Sequence, residues 1–142
     1  MKLCRVGEPG LEKPAVIDKD NIIRDLSAII SDLNPKTLNF ETIHKINAIN
    51  LNDLPEINSN LRIGPCVGNP SKFLGIGLNF KDHALEQNLP IPNEPIIFSK
   101  FTNCVCGPND DIEIPKGSEH TDWEVELGFV IGKKAINVTE QN

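Results

Sequence analysis

The sequence predicts an α+β chain, mostly β. A small N-terminal domain is expected over 1–66, and a second, β-rich domain, incomplete within this chain, over 67–142. Three observations carry this reading. In Thr121-Asp122-Trp123-Glu124-Val125-Glu126-Leu127-Gly128, apolar and acidic residues alternate, and Phe129, Val130 and Ile131 continue the apolar run. A period of two is that of a strand with one buried face. The stretch 88–118 is dense in breakers, with Pro90, Pro92, Pro95, Gly107, Pro108, Pro115 and Gly117 around short extended pieces. That composition suits an irregular β region with tight corners. Helical periodicity, by contrast, is confined to a few short stretches before residue 87.

Taken in order, 2–6 is a short strand. Residues 14–17 and 22–23 flank the turn formers Asp18-Lys19-Asp20-Asn21, which makes a hairpin. A short helix is expected over 25–33, with Asp25 or Ser27 as its cap, until Pro35 breaks it. Leu38, Ile43, Ile46 and Ile49 recur at helical spacing, so 37–50 is expected to be helical; His44 within it is given no role. Residues 51–64 read as a connector with a short strand near 61–63, and the Pro- and Gly-containing 65–70 holds the domain boundary. Residues 72–78 are a strand. Its Gly75-x-Gly77 lacks the third glycine of a dinucleotide fingerprint, because Phe80 stands there, so that function is excluded. The glycines instead admit a close approach of another backbone or a ligand. Asn79 is expected to cap the next helix, with Asp82 in its first turn. Residues 95–100 and 111–114 are further extended pieces, and 136–138 begins another strand or a turn.

Composition narrows the classes of function. The chain has 142 residues, 39% hydrophobic and 24% charged, with a formal net charge of −6. An acidic chain without a basic cluster argues against nucleic acid as partner. No run approaches the roughly 18–20 apolar residues of a membrane span, and the first residues carry no secretory h-region. The four cysteines, Cys4, Cys66, Cys104 and Cys106, form no C-x-x-C pair; reduced thiols in a cytoplasmic protein are expected.

Two constellations can carry chemistry. Glu124 and Glu126 lie two apart on the predicted strand, so their carboxylates point the same way and can share one hard cation such as Mg²⁺. The same pattern also describes the wet face of an edge strand. His83 and Glu86 lie three apart on the predicted helix and share a face. A carboxylate there orients the imidazole, which can hold a water and accept its proton near neutral pH. The plain alternative is an exposed pair without duty. Lys100, at the end of an apolar strand, can reach an anionic ligand or simply be a solvated strand end.

Several pieces in order resemble the fumarylacetoacetate hydrolase family. They are Ile76-Gly77-Leu78-Asn79-Phe80-x-Asp82-His83-Ala84, Glu94-Pro95-Ile96-Ile97-Phe98-x-Lys100, Gly107-Pro108, Ile114-Pro115-x-Gly117-Ser118 and the acidic strand 121–128. The N-terminal region is similar to the small leading domain of many bacterial members, so the resemblance spans the chain but only the amino-terminal half of a typical member. It implies a mixed β-roll, often dimeric, here truncated. It implies Mg²⁺, with Mn²⁺ or Ca²⁺ as alternatives, held by Glu124, Glu126 and an aspartate expected beyond Asn142. His83 and Glu86 match the water-activating dyad, on a helix that in several members belongs to a lid. Lys100 and Asn79 match positions near the substrate. The implied substrates are small oxo acids, which such a metal can bind through the carboxylate and adjacent carbonyl while it stabilises the developing enolate or alkoxide. The wording is most similar to the bacterial ureidoglycolate lyase and 2-hydroxyhepta-2,4-diene-1,7-dioate isomerase-like branch. The expectation is therefore a metal-dependent lyase, hydrolase or isomerase, homodimeric at full length, with no nucleic-acid or membrane partner. The alternative is a truncated, non-catalytic fragment that serves at most as a binding module.

Overall fold

A computed structural model describes residues 1–141. Five strands, all antiparallel in their pairing, two short α-helices and two single 3-10 turns (Leu51–Asp53 and Thr102–Cys104) make up the regular structure of the described residues. The chain is thus α+β with more strand than helix. It divides into two compact units: Met1–Gly68 together with Gly107–Asn142, and Asn69–Cys106.

The first unit is built on a three-stranded meander of β1 (Lys2–Val6), β2 (Lys13–Ile17) and β3 (Ile23–Asp25), ordered β1-β2-β3. The hairpin expected around 18–21 is present, and its chemistry is visible. Asp18 Oδ1 accepts from the amides of Asp20 and Ile22, both at 2.9 Å, while Asn21 takes the left-handed φ of 62° that asparagine tolerates. The sheet is covered on both faces. Leu3 and Val16 are cross-strand partners on one face, where Val16 packs with Leu26, Ile30, Leu33 and Ile46. Cys4, Val6, Ala15 and Ile23 form a second cluster, with Ile17, Ile57 and Ile63 against it. Strand alternation puts these two sets on opposite faces. Ile46 reaches the first cluster from α1 (Phe40–Asn47), whose N-cap Asn39 accepts the Thr42 amide at 2.9 Å.

Two expectations are corrected here. The stretch 25–33 is not a helix. Only turns form, with the amides of Ile29 and Ile30 both bonded to Leu26 O. Asp side chains take backbone amides of this stretch, Asp25 Oδ1 accepting from Ser27 N–H at 2.7 Å and Asp32 Oδ1 from Leu33 N–H at 2.8 Å, and such local bonds compete with a helical ladder. The strand near 61–63 reduces to a single bridge, Val6 to Ile63.

The second unit is a hairpin of β4 (Phe73–Gly77) and β5 (Ile96–Lys100) with α2 (Lys81–Glu86) in the long connection between them. Gly75 faces Phe98 across the ladder, and a Cβ on Gly75 would lie 2.5 Å from the Phe98 ring. The glycine therefore makes room for the aromatic ring of its own hairpin. No helix of the described residues is long and apolar enough to cross a membrane.

Candidate functional site

His83 and Glu86 are brought together as their spacing requires. Both lie on α2, and His83 Nδ1 is 3.6 Å from Glu86 Oε2. That is ion-pair range for a protonated ring, and longer than the roughly 2.6–3.2 Å of a working proton-transfer bond. The side chains are 40% and 77% exposed, so water reaches both. The helix itself is anchored by Ala84, which is fully buried. Its cap differs from expectation. Phe80, not Asn79, occupies the N-cap position, and its side chain makes no capping hydrogen bond. Leu78 has a left-handed φ of 51°, so the chain turns sharply before Asn79 and the helix starts one residue later than that asparagine could cap.

Lys100 is exposed at the end of β5, opposite Phe73 in the ladder. Its ammonium sits 5.6 Å from the centroid of the Phe73 ring, a cation–π contact at an exposed site.

The acidic segment departs furthest from expectation. Residues 111–141 contain no strand, so the strands expected over 111–114 and 121–131 are absent, and of the strand or turn expected at 136–138 the chain makes a bend. Glu124 and Glu126 are exposed, and so is the apolar set that should have faced inward, with Trp123 at 80% and Leu127 at 89%. Asp122 bends onto its own chain and accepts the Trp123 amide at 2.8 Å. The physical reason is the absence of a ladder. Alternation specifies which face a strand would bury, but the backbone becomes a strand only when another strand supplies its hydrogen bonds, and no described segment does so here. Among the described residues, no group of three His, Cys, Asp or Glu side chains is placed to hold a metal ion. Two carboxylates of one segment are too few ligands for Mg²⁺. The described residues alone therefore do not make up a metal centre. The dyad belongs to the unit Asn69–Cys106 and the carboxylate pair to the other unit.

One charged constellation escaped the sequence. Arg5, Glu12, Asp32, Arg62 and Asp110 form a continuous chain of ion pairs within the first unit. Arg62 donates to both carboxylate oxygens of Asp110, at 2.6 and 2.5 Å, and to Glu12 Oε1 at 2.9 Å. The hydrogen bonds from Arg62 hold the Asp110 carboxyl below the usual carboxylate range. Burial pushes Glu12 up, but the Arg62 hydrogen bond and the Arg5 charge outweigh it and leave Glu12 lowered too. Apart from Arg5 and Glu12, the bonded partners here are 27 to 50 residues apart in sequence, and no local pattern announces them.

Comparison with known proteins falls on the same regions. The profile of the fumarylacetoacetate (FAA) hydrolase C-terminal domain matches residues 72–142, the part that holds His83, Glu86, Lys100, Glu124 and Glu126. A Burkholderia cenocepacia protein named "Putative hydrolase" is 52% identical over 140 residues, covering 99% of this chain and 50% of that protein. Similarly named proteins of Burkholderia lata and Burkholderia ambifaria are each 51% identical over the same 140-residue length. The chain thus spans about half the length of the curated relatives it matches. It belongs to the fumarylacetoacetate hydrolase family.

Proposed function

We propose that the protein contributes to a divalent-metal-dependent hydrolase, lyase or isomerase of small oxo acids, in which His83 and Glu86 handle the proton. The observation that carries this reading is the dyad itself. An imidazole and a carboxylate lie 3.6 Å apart on one helix face, both wetted, inside the stretch that matches the family. An exposed imidazole beside a carboxylate can take a proton from water or from a substrate carbon and pass it on. Mg²⁺, or Mn²⁺ or Ca²⁺ in its place, would be held by Glu124 and Glu126 with further ligands from outside the described residues. When bound, such an ion supplies Lewis-acid stabilisation of a developing oxyanion. Lys100 and Asn79 are proposed at the substrate carboxylate. Ureidoglycolate cleavage and dienoic diacid isomerisation are the reactions to try first. A mixed β-roll, with the domain boundary near residue 66, a homodimer and a cytoplasmic setting belong to the same proposal.

A second reading has its own observation. The apolar side chains of 123–131 are exposed and no metal triad forms among the described residues, which suits a non-catalytic module. One experiment separates the two. The chain is joined to the remaining half of the Burkholderia cenocepacia relative, and Mg²⁺ binding is measured calorimetrically with and without Glu124→Gln and Glu126→Gln. Binding by the joined protein that either substitution weakens at least tenfold, together with turnover of an oxo acid that His83→Ala abolishes, supports the enzyme. Metal binding and turnover indifferent to all three substitutions would overturn it.

A further inference from the structure

The ion chain in the first unit ends at two places that matter for the second. At one end, Arg5 Nε donates to Asp32 Oδ1 at 2.7 Å. Beside it, the Gly68 amide donates to Leu33 O at 2.7 Å, and a Cβ on Gly68 would fall 2.7 Å from Asp32 Oδ2 and 2.9 Å from Arg5 Cζ. At the other end, the Gly107 amide donates to Asp110 Oδ2 at 2.6 Å, and a Cβ on Gly107 would fall 2.3 Å from Ile63 O. Gly68 is the last residue before the Asn69–Cys106 unit, and Gly107 is the first after it. Glu12 joins the two ends, with Arg5 at 3.4 Å and Arg62 at 2.9 Å.

We infer that Asp32, Arg5, Glu12, Arg62 and Asp110 act as a clasp. They fix the exit and the re-entry of the chain and so close the Asn69–Cys106 unit into a loop. That unit has little else to hold it. It contains one two-stranded hairpin, a six-residue helix and the 3-10 turn Thr102–Cys104, and Ala84 is its one buried hydrophobic residue among those described. An isolated two-stranded hairpin is marginal in water. Holding its ends together removes closure entropy that the hairpin must otherwise overcome. The charges are well placed for this duty. Their side chains are 5–24% exposed, opposite signs alternate along the chain, and Arg62 binds Asp110 in two-pronged fashion. The clasp stands whatever reaction the family site performs.

The test is amide hydrogen exchange on the whole chain, read at β4–β5 and at β1–β2, for Asp110→Asn and for Arg24→Met as control. Arg24 is a comparably buried arginine of the same unit, paired with Asp18 at 3.1 Å, away from both ends of the loop. Asp110→Asn is expected to speed exchange at β4–β5 about tenfold, the size of one lost charged hydrogen bond, with a smaller rise at β1–β2. Arg24→Met is expected to leave β4–β5 as it was. If Asp110→Asn does not fold, Arg62→Lys is read the same way, since it keeps the charge and loses the fork. Unchanged exchange at β4–β5, or an equal rise across β1–β3, overturns the clasp.

Discussion

Replacing Gly107 by alanine tests the packing of the first unit most directly. The added Cβ would lie 2.3 Å from Ile63 O, 2.9 Å from Asp110 Oδ2 and 3.1 Å from Gly64 Cα. Two of these three atoms are backbone and cannot swing away. Ordinary contact begins near 3.4 Å, so the two segments must part by roughly 1 Å. The nearby backbone is tied at several points. Gly64 N–H donates to Arg5 O at 2.8 Å, and Asp110 is bonded to both Gly107 N and Arg62. Overpacking of a constrained site costs about 1–3 kcal/mol. With a urea slope of about 1–3 kcal/mol per molar, the midpoint should fall by roughly 1 M. Trp123 is 80% exposed, so its fluorescence is a poor probe and circular dichroism is the assay. Gly132→Ala is the matched control, because nothing lies within 4 Å of its Cβ position. A Gly107→Ala midpoint equal to that of Gly132→Ala and of the unsubstituted chain would refute the close approach.

Two further outcomes follow from the charged and thiol groups. Asp110, Glu12 and Asp18 all have lowered folded pKa values, Asp18 chiefly because it accepts the Ile22 amide. Their ionised forms stabilise the fold above the unfolded value near 4, and that contribution is lost as pH falls through the lower folded values. Stability should therefore be flat from about pH 7 to 5 and drop below about pH 4. Glu12→Gln should shrink that drop, and a loss of stability beginning above pH 5 would contradict the assignment. Cys4 is buried and its thiol is pushed up to about 11, whereas Cys66, Cys104 and Cys106 are exposed. A thiol reagent at pH 8 should label three cysteines promptly and Cys4 only when denaturant opens the sheet; four equal rates would argue against the β1–β2 core.

The sequence by itself determined whatever depends on neighbours a few residues apart. The β1–β2–β3 meander was readable because Asp18-Lys19-Asp20-Asn21 is turn chemistry between alternating apolar runs. The pairing of His83 with Glu86 was readable because helix geometry brings positions three apart onto one face. Family membership was readable in the ordered motifs between residues 73 and 130. Tertiary structure alone decided the rest. Residues 25–33 have a helical look, yet they form a path of turns in which Asp25 and Asp32 side chains take the amides of Ser27 and Leu33. Alternation at 121–131 states which face a strand would bury but cannot supply the second strand, and the segment stays irregular and wet. Most links of the ion chain from Asp32 to Asp110 join residues far apart in sequence, Arg5 to Asp32, Arg62 to Glu12 and Arg62 to Asp110. Periodicity records what a segment prefers, whereas hydrogen-bond ladders and ion networks depend on which distant segment arrives, and only the folded chain specifies that.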